Sequence, residues 1–231
     1  MRYAQAVVKA LRLIRDGKIG LLVAIPLYRS WWFLRRLDFG VVSLQKLGLR
    51  PDHSNYHKDG GGPFLHDLLR QLNITGDDAV LDIGSGKGGA MATMARFPFK
   101  MVDGVEISSE LVEVARRNLS KLQLQQCRVF LADALAFTEL DDYTYIFMYN
   151  PFPEAVLEKV LTNIEVSLKR KPRVARLIYS NPLHEDTILA SGTFTKTMVY
   201  EPYQEYRISV YETDGRGILG KPSLSRQLAL Q

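Results

Sequence analysis

The chain has 231 residues, of which 46% are hydrophobic and 24% charged, and its formal net charge is +5 at pH 7. This length predicts one domain with an extension and a sizeable core. Because Cys127 is the only cysteine, an intrachain disulfide and a zinc–cysteine site are excluded, and a reducing compartment is expected. The four histidines show no metal-ligand spacing, so the sequence predicts no metal site.

The first quarter of the chain is strongly basic. Residues 1–60 contain eleven Lys or Arg and four Asp or Glu, a net charge of +7, so the remainder of the +5 chain carries about −2. Residues 19–34 are apolar and include two tryptophans, with basic residues around them: Trp31, Trp32, Arg29, Arg35 and Arg36. A membrane span needs about 20 apolar residues, and Pro26 and Arg29 interrupt this run. No small-residue cleavage site follows it, as one would in a signal peptide.

Two interpretations of this basic region are open. It is either a helical arm packed on the following domain or on another subunit, or an interfacial helix on an anionic membrane surface. We therefore expect a cytoplasmic protein, with a peripheral membrane contact through residues 19–36 as the alternative. Nothing in the chain is similar to a known nucleic-acid-binding module, so a nucleic-acid partner is not expected despite the basic charge.

A polar segment separates the arm from the first predicted strand. Residues 52–59 are rich in hydrogen-bonding side chains, and Gly60, Gly61 and Gly62 follow them. The three consecutive glycines predict a hinge, because glycine has the widest choice of backbone conformations. Pro63 then favours the start of a helix over residues 64–72.

Residues 80–89 are the most informative part of the chain. An apolar run containing Asp82 leads into a glycine-rich turn, and a good helix former follows over residues 90–97, so the pattern predicts strand, turn and helix. The turn satisfies G-x-G-x-x-G, the dinucleotide fingerprint, and also D-x-G-x-G-x-G, through Asp82, Gly84, Gly86, Gly88 and Gly89. Both patterns indicate a nucleotide-like ligand held at the turn. The alternative is a glycine loop without a ligand.

The next two predicted strands each carry an acid near their carboxyl ends. Residues 100–107 predict a buried strand ending at Glu106, about twenty residues past the turn, which is the spacing of a carboxylate that accepts ribose hydroxyls. A helix over residues 109–119, capped by Ser108 or Ser109, and a strand over residues 127–134 follow. Asp133 lies near the end of this third strand.

The fourth predicted strand, residues 143–149, is nearly all apolar or aromatic, as a central parallel strand should be. It leads into Asn150-Pro151-Phe152-Pro153. Ligands of open α/β sheets bind beyond the carboxyl ends of the strands, so this tetrapeptide should lie at the reacting centre. The remaining pattern predicts helices over residues 154–171 and 186–190 and strands over residues 174–179, 194–200 and 206–211.

These motifs together resemble the class I S-adenosylmethionine-dependent methyltransferases over roughly residues 55–215. The resemblance implies an α/β fold, a Rossmann-like, doubly wound, mostly parallel seven-stranded sheet with one antiparallel strand, here with a helical N-terminal arm. A nicotinamide dehydrogenase would need a second domain, and fewer than a hundred residues remain after Asp133. We expect a basic helical arm over residues 1–54, a methyltransferase domain over residues 55–215 and a C-terminal tail over residues 216–231.

The resemblance implies that S-adenosylmethionine is the cofactor and assigns the residues that bind it. In this family the acid after strand three faces the adenine amino group and the next backbone N–H reaches a ring nitrogen, which are the roles of Asp133 and Ala134 here. The segment before strand one often folds over the cofactor, which makes Tyr56 a lid residue, or else part of an ordinary polar loop. The predicted cofactor-binding residues are Asp82, Gly84, Ser85, Gly86, Gly88, Glu106, Ile107, Asp133, Ala134 and Tyr56.

The turn after strand four points to the methyl acceptor. Asn150, Pro151 and Phe152, the predicted catalytic residues, resemble the motif of methyltransferases that act on nitrogen, although those enzymes have two prolines before the aromatic ring. The resemblance implies an amine acceptor, for example a protein lysine. Two alternatives remain open: an O-methyltransferase of a small molecule or glycan, and a non-catalytic cofactor-binding module that assists a partner.

Overall fold

The computed structural model describes residues 14–15, 17–48, 60–203 and 206–215. In the described ranges, helices α1 (Ile19–Leu34), α2 (Leu44–Leu47) and α3 (Pro63–Leu69) precede the sheet. Strands and helices then alternate as β1 (Ala79–Ile83), α4 (Gly89–Met94), β2 (Met101–Glu106), α5 (Ser109–Lys121), β3 (Cys127–Leu131), β4 (Tyr145–Tyr149), α6 (Glu154–Arg170), β5 (Arg176–Ser180) and α7 (Glu185–Ala190). A hairpin of β6 (Thr195–Tyr203) and β7 (Tyr206–Glu212) ends the described chain.

The sheet has seven strands in the order β3-β2-β1-β4-β5-β7-β6. Strands β1 to β5 are parallel to one another, and β7 runs antiparallel to both of its neighbours, β5 and β6. The predicted Rossmann-like sheet with one antiparallel strand is therefore confirmed. Strand order reverses between β1 and β4, and such a switch point opens a crevice at the carboxyl ends of the strands.

Two apolar layers cover the sheet. On one face, side chains of α3, α4 and α5, such as Leu68, Met91 and Ala115, pack against the strands. On the other face, α6 and α7 contribute residues such as Leu161 and Ile188. Strands β1 and β4 are buried along almost their whole length, because helices cover them on both sides, and this fixes the strand ends that carry the candidate site.

Most predicted boundaries differ from the observed ones by one to three residues, and two of the differences have a clear structural meaning. Helix α4 ends at Met94 rather than at residue 97, because Phe97 precedes Pro98 and a residue before proline is disfavoured in the helical conformation. Strand β3 ends at Leu131, so Asp133 lies in the turn after the strand and not in the strand itself. The predicted cap of α5 is confirmed, since the Ser108 hydroxyl accepts a hydrogen bond from the Leu111 N–H at 3.4 Å.

The arm helix α1 packs on the sheet domain through one face. Leu21 is buried, and the Trp32 ring lies edge-on to Phe39 at 5.2 Å between ring centroids. The Lys18 ammonium lies 3.2 Å from Asp67 on α3 and 4.1 Å from the ring centroid of Tyr200 on β6. The arm is thus a packed part of the fold along this face. The predicted tail over residues 216–231 lies outside the described residues.

The three glycines before α3 are packed rather than hinged, which corrects the sequence prediction. A Cβ on Gly61 would lie 2.2 Å from the carbonyl oxygen of Gly89, and one on Gly62 would lie 2.7 Å from the Tyr28 ring. The Gly62 N–H donates to the Thr93 hydroxyl at 2.8 Å. Glycine is needed here because the backbone approaches other atoms closely and because Gly62 has a φ of +99°.

One buried amide joins the arm, helix α5 and the glycine turn. The Asn118 side chain donates to the carbonyl of Asp38 at 2.8 Å and to the carbonyl of Lys87 at 3.1 Å. Its oxygen accepts from the Asp38 N–H at 3.1 Å. Asn118 is 1% exposed, so these main-chain groups have little access to water as a replacement partner.

We predict that Asn118→Ala destabilises the protein by ~1–3 kcal/mol, because it leaves buried main-chain groups without their partner. The free energy of unfolding should be measured in urea by circular dichroism. Ser120→Ala is the matched control, since Ser120 lies on the exposed side of the same helix and should change stability by less than ~0.5 kcal/mol. Equal stabilities of the two variants would contradict the bridging role of Asn118.

Candidate active site

The turn between β1 and α4 is a tight, left-handed series of glycines. Gly84, Gly86 and Gly88 have φ values of +78°, +54° and +79°, a region that side chains with a Cβ rarely adopt. The N–H groups of Gly84 and Ser85 donate to the Val105 carbonyl at 2.9 and 3.0 Å. The turn is therefore tied to the end of β2, the neighbouring strand.

Glu106 completes this connection from the end of β2. One carboxylate oxygen accepts from the Gly86 N–H at 2.9 Å, and the other accepts from the Ser108 N–H at 2.9 Å. The side chain is 7% exposed, and burial raises its pKa above the ordinary 4.5, against the lowering effect of these N–H donors. A carboxylate has about four lone-pair sites, and the Ile107 backbone also hydrogen-bonds this one, so Glu106 keeps capacity for about one further donor such as a ribose hydroxyl.

Strands β2 and β3 are parallel neighbours, and Glu106 at the end of β2 pairs with Leu131 at the end of β3. The turn after β3 therefore lies beside the end of β2. The Asp133 carboxylate accepts from the Leu135 N–H at 2.9 Å, which fixes a local turn around Ala134. Ile107, directly after Glu106, exposes 39% of its surface, which is high for a large apolar residue at a strand end. These residues form one continuous edge, with an apolar surface next to two acids.

Asp82 and Ser85 lie behind the turn. Asp82 is buried on β1, between Gly104 of β2 and Phe147 of β4. A Cβ on Gly104 would lie 2.7 Å from the Ser85 Oγ, so the absence of a side chain at residue 104 makes room for Ser85. The Ser85 Oγ is buried and has no hydrogen-bond partner among the described residues. It faces Gly104 of β2, and its predicted contact with the cofactor stays a prediction.

The turn after β4 reverses sharply at Asn150, which is 7% exposed and has a φ of +37°. Its side-chain oxygen accepts from the Tyr179 hydroxyl on β5 at 2.8 Å. The backbone of His184 hydrogen-bonds the same hydroxyl, while burial raises the pKa of Tyr179 to about 12. Tyr179 therefore stays protonated at neutral pH and holds the Asn150 amide in one orientation.

The turns after β1 and β4 touch each other. A Cβ on Gly84 would lie 2.6 Å from the Cβ of Pro151, so these two turns can approach only because residue 84 is glycine. Phe152 is 8% exposed and packs in the core layer with Leu157 of α6. Most of its ring is thus used for packing, and its predicted contact with an acceptor stays a prediction.

The fold brings together all the predicted site residues that it describes, at the carboxyl edge of β1 to β4. The exception is Tyr56, which lies outside the described residues. The roles of these residues in binding and catalysis stay predictions. Among the described residues no group of three His, Cys, Asp or Glu side chains could hold a metal ion. Burial raises the pKa of the Cys127 thiol to about 12, which suits a packing residue rather than a nucleophile.

Sequence reasoning missed Tyr179 and the contacts behind the turn. Lys87, 5% exposed, forms an ion pair with Asp38 of the arm at 2.7 Å between Nζ and Oδ1. A lysine inside a glycine turn was a visible signal that a carboxylate must neutralise it. Nothing in the sequence indicated that the carboxylate lies 49 residues earlier. Tyr179 was visible only as an apolar strand residue.

Comparison with known proteins agrees with this geometry. Residues 80–171 match a family model described as a methyltransferase domain. The chain is similar to a probable cobalt-precorrin-6B C(15)-methyltransferase (decarboxylating) of Methanococcus maripaludis strain C6, with 30% identity over 100 residues, 41% of this chain and 55% of the relative. The protein with the same description from strain C7 is 27% identical over 144 residues, 55% of this chain and 79% of the relative.

Among solved structures, a SAM-dependent methyltransferase from Aquifex aeolicus matches with a TM-score of 0.54 and 19% identity, covering 64% of this chain and 88% of that one. At this identity the structural match shows the fold. The chain spans only about half of the first relative's length, 55%. Over residues 80–171 the chain therefore matches a methyltransferase domain, and its fold is that of the Rossmann-like methyltransferases.

We predict that Gly84→Ala disturbs both turns. The left-handed backbone costs an alanine ~1–2 kcal/mol, and overlap with Pro151 adds ~1–3 kcal/mol. Gly192→Ala is the matched control, because Gly192 has a φ of +70° but no atom within 4 Å of an added Cβ. The two free energies of unfolding should be compared in urea. If both variants lose the same stability, the contact between the turns is not tight.

Proposed function

We propose that this chain binds S-adenosylmethionine at the carboxyl edge of β1 to β3 and transfers the methyl group to an amine held at the turn after β4. The observation that carries the proposal is the contact between the two turns at Gly84 and Pro151. This contact brings the predicted cofactor residues next to the predicted acceptor residues. Methyl transfer requires such closeness, because donor and acceptor must meet in line.

The residues at this edge fit the cofactor chemically. Glu106 is a buried carboxylate with acceptor capacity for ribose hydroxyls, and Ile107 offers an exposed apolar surface for a base. Asp133 adds a carboxylate beside the Ala134 backbone. Bound S-adenosylmethionine supplies a methyl group already activated on a sulfonium. The work left to the protein is to bind, align and exclude water.

Two features of the acceptor turn support an amine. The Asn150 side-chain amide is oriented by the Tyr179 hydroxyl, and a neutral amide oxygen is the kind of group that orients an amine by accepting its N–H. A hydroxyl acceptor would need a base to remove its proton. Tyr179 cannot serve at neutral pH, because its pKa is raised to about 12. A protein lysine is one amine that would suit this turn.

The names of the relatives favour a second candidate. Both are described as methyltransferases of C(15) of cobalt-precorrin-6B, so their acceptor is a carbon atom. Like an amine, a nucleophilic carbon would not need Tyr179 to act as a base. An acceptor of that kind is the alternative to the amine, ahead of a hydroxyl or of a non-catalytic role in assisting a partner.

The acceptor can be identified with methyl-labelled S-adenosylmethionine added to cell extract with and without the protein. The extract is separated into protein, lipid, nucleic-acid and small-molecule fractions, and mass spectrometry locates the label. We expect the methyl group on nitrogen. Label on carbon would replace the amine by the chemistry in the relatives' names, label on oxygen would favour the hydroxyl, and no transfer would contradict catalysis.

We predict that Glu106→Gln lowers the affinity for S-adenosylmethionine at least about tenfold, because each hydrogen bond to a charged acceptor contributes ~1.5–3 kcal/mol. Isothermal calorimetry with the cofactor and with S-adenosylhomocysteine measures the change. Glu110→Gln is the matched control, since Glu110 is an exposed carboxylate four residues away and should leave the affinity unchanged. Tight binding of NAD by the native protein would instead contradict the cofactor assignment.

The affinity of the native protein should also depend on pH. The charged form of Glu106 accepts the ribose hydrogen bonds, and burial raises the pKa of this carboxyl above 4.5. Acidification should therefore weaken cofactor binding at a pH where an ordinary glutamate is still charged. The Glu106→Gln protein should lack this dependence. If the affinities of the two proteins change with pH in the same way, a group other than Glu106 is titrating.

We predict that Asn150→Ala slows methyl transfer about a hundredfold, on the order of 2.7 kcal/mol. Tyr179→Phe should slow it about tenfold, since the amide stays but loses its orientation. Cofactor affinity should change little in either variant. Tyr145→Phe is the matched control, because this hydroxyl lies at the opposite end of β4, near Asn73. Single-turnover rates near normal in Asn150→Ala would contradict the role of this turn.

A further inference from the structure

Helix α1 is apolar on two opposite faces. Its inner face packs on the sheet domain through Leu21, Tyr28 and Trp32. On the outer face five large apolar side chains expose 57% to 82% of their surface: Ile19, Val23, Leu27, Phe33 and Leu34. Ile19, Val23, Leu27 and Leu34 are four, four and seven residues apart, and Phe33 lies next to Leu34, which places all five along one side of the helix. We call these five residues the outer stripe.

The outer stripe differs from the other exposed apolar residues of the described chain. Leu131, Val166, Leu183 and Val199 lie singly on β3, on α6, before α7 and on β6. Single exposed apolar side chains are ordinary on a protein surface, whereas a contiguous apolar stripe indicates a partner. The fold does not need the stripe, because the inner face alone attaches the arm.

Charge indicates the chemistry of that partner. Residues 17–48 contain five basic residues and one acidic residue, Asp38, which pairs with Lys87. Arg29, Arg35 and Arg36 are exposed beside the stripe and at its carboxyl end. A second copy of this chain would bring an equally basic arm against the first and repel it. An anionic surface would instead attract these side chains.

The length of the helix limits how it can meet a membrane. Sixteen residues extend about 24 Å, less than the ~30 Å of a hydrocarbon core. None of the helices in the described ranges is long and apolar enough to cross a bilayer. We propose that α1 docks flat on an anionic lipid bilayer, with the outer stripe among the acyl chains and the arginines at the headgroups.

The two tryptophans do not take part in this contact. Trp31 lies 5.0 Å beneath the Arg96 guanidinium, and Trp32 packs on Phe39. Both are half-buried toward the domain. The aliphatic side chains and Phe33 form the contact. Arm packing and membrane contact, posed as alternatives from the sequence, therefore use opposite faces of one helix.

Flotation of the full chain with lipid vesicles tests the proposal without cofactor or acceptor, so its outcome is independent of the methyltransferase assignment. Vesicles contain equal parts of phosphatidylcholine and phosphatidylglycerol, or phosphatidylcholine alone. We expect binding to the anionic vesicles that weakens with added salt. The double variant Leu27→Asp/Phe33→Asp should lose at least about tenfold in vesicle affinity. Arg35→Gln/Arg36→Gln should lose about tenfold on anionic vesicles only.

Leu131→Asp/Val166→Asp is the matched control, since it places the same charges at exposed apolar positions away from the arm and should bind vesicles normally. Circular dichroism verifies that all variants are folded. Failure of the native chain to bind anionic vesicles would overturn the proposal. Equal loss of binding in the control and stripe variants would also overturn it. Analytical ultracentrifugation tests for a dimer. A dimer that binds no vesicles, and that dissociates in the stripe variant but not in the control, would also overturn the proposal.

Discussion

The hydrogen bond from the Gly86 N–H to the Glu106 carboxylate is the interaction on which the candidate site depends. It fixes the glycine turn of β1 against the end of β2, together with the Val105 carbonyl, which accepts from Gly84 and Ser85. A buried carboxylate is unfavourable unless donors surround it, and the turn supplies one of these donors. Turn and acid therefore stabilise each other, and the same acid is left facing the edge where a ribose would lie.

The second half of the site depends on close approach rather than on charge. Gly84 lets Pro151 come within reach, and Tyr179 holds the Asn150 amide from the neighbouring strand. These contacts link the carboxyl ends of β1, β4 and β5 across the switch point of the sheet. A transfer reaction with an activated donor needs little chemistry from side chains and much alignment. The site meets this requirement, because the acceptor turn has few titratable groups and closely packed backbone surrounds it.

One face of the N-terminal arm packs on the domain near the site, and the opposite face is exposed. Asp38 pairs with Lys87 inside the glycine turn, and Asn118 bonds both segments, so the arm supports the back of the turn. The opposite face of α1 remains apolar and exposed. If this face docks on lipid, the helix that precedes the bracing residue Asp38 also sets the orientation of the turn to the surface. An amine or carbon acceptor that is itself amphipathic would then meet the site at the membrane.

The sequence by itself determined the strand–turn–helix order, the seven strands and the residues at the strand ends, because glycine spacing and apolar periodicity are local signals. The separation of 20 residues between Gly86 and Glu106 along the chain was enough to predict that this acid lies at the turn. Tertiary structure alone decided that Asp38 neutralises Lys87, that Tyr179 holds Asn150 and that Gly60 to Gly62 are packed rather than hinged. It also decided that the tryptophans of α1 face the domain. These contacts join residues far apart in the chain, and no local pattern specifies which distant side chain will meet a given atom once the layers close on the sheet.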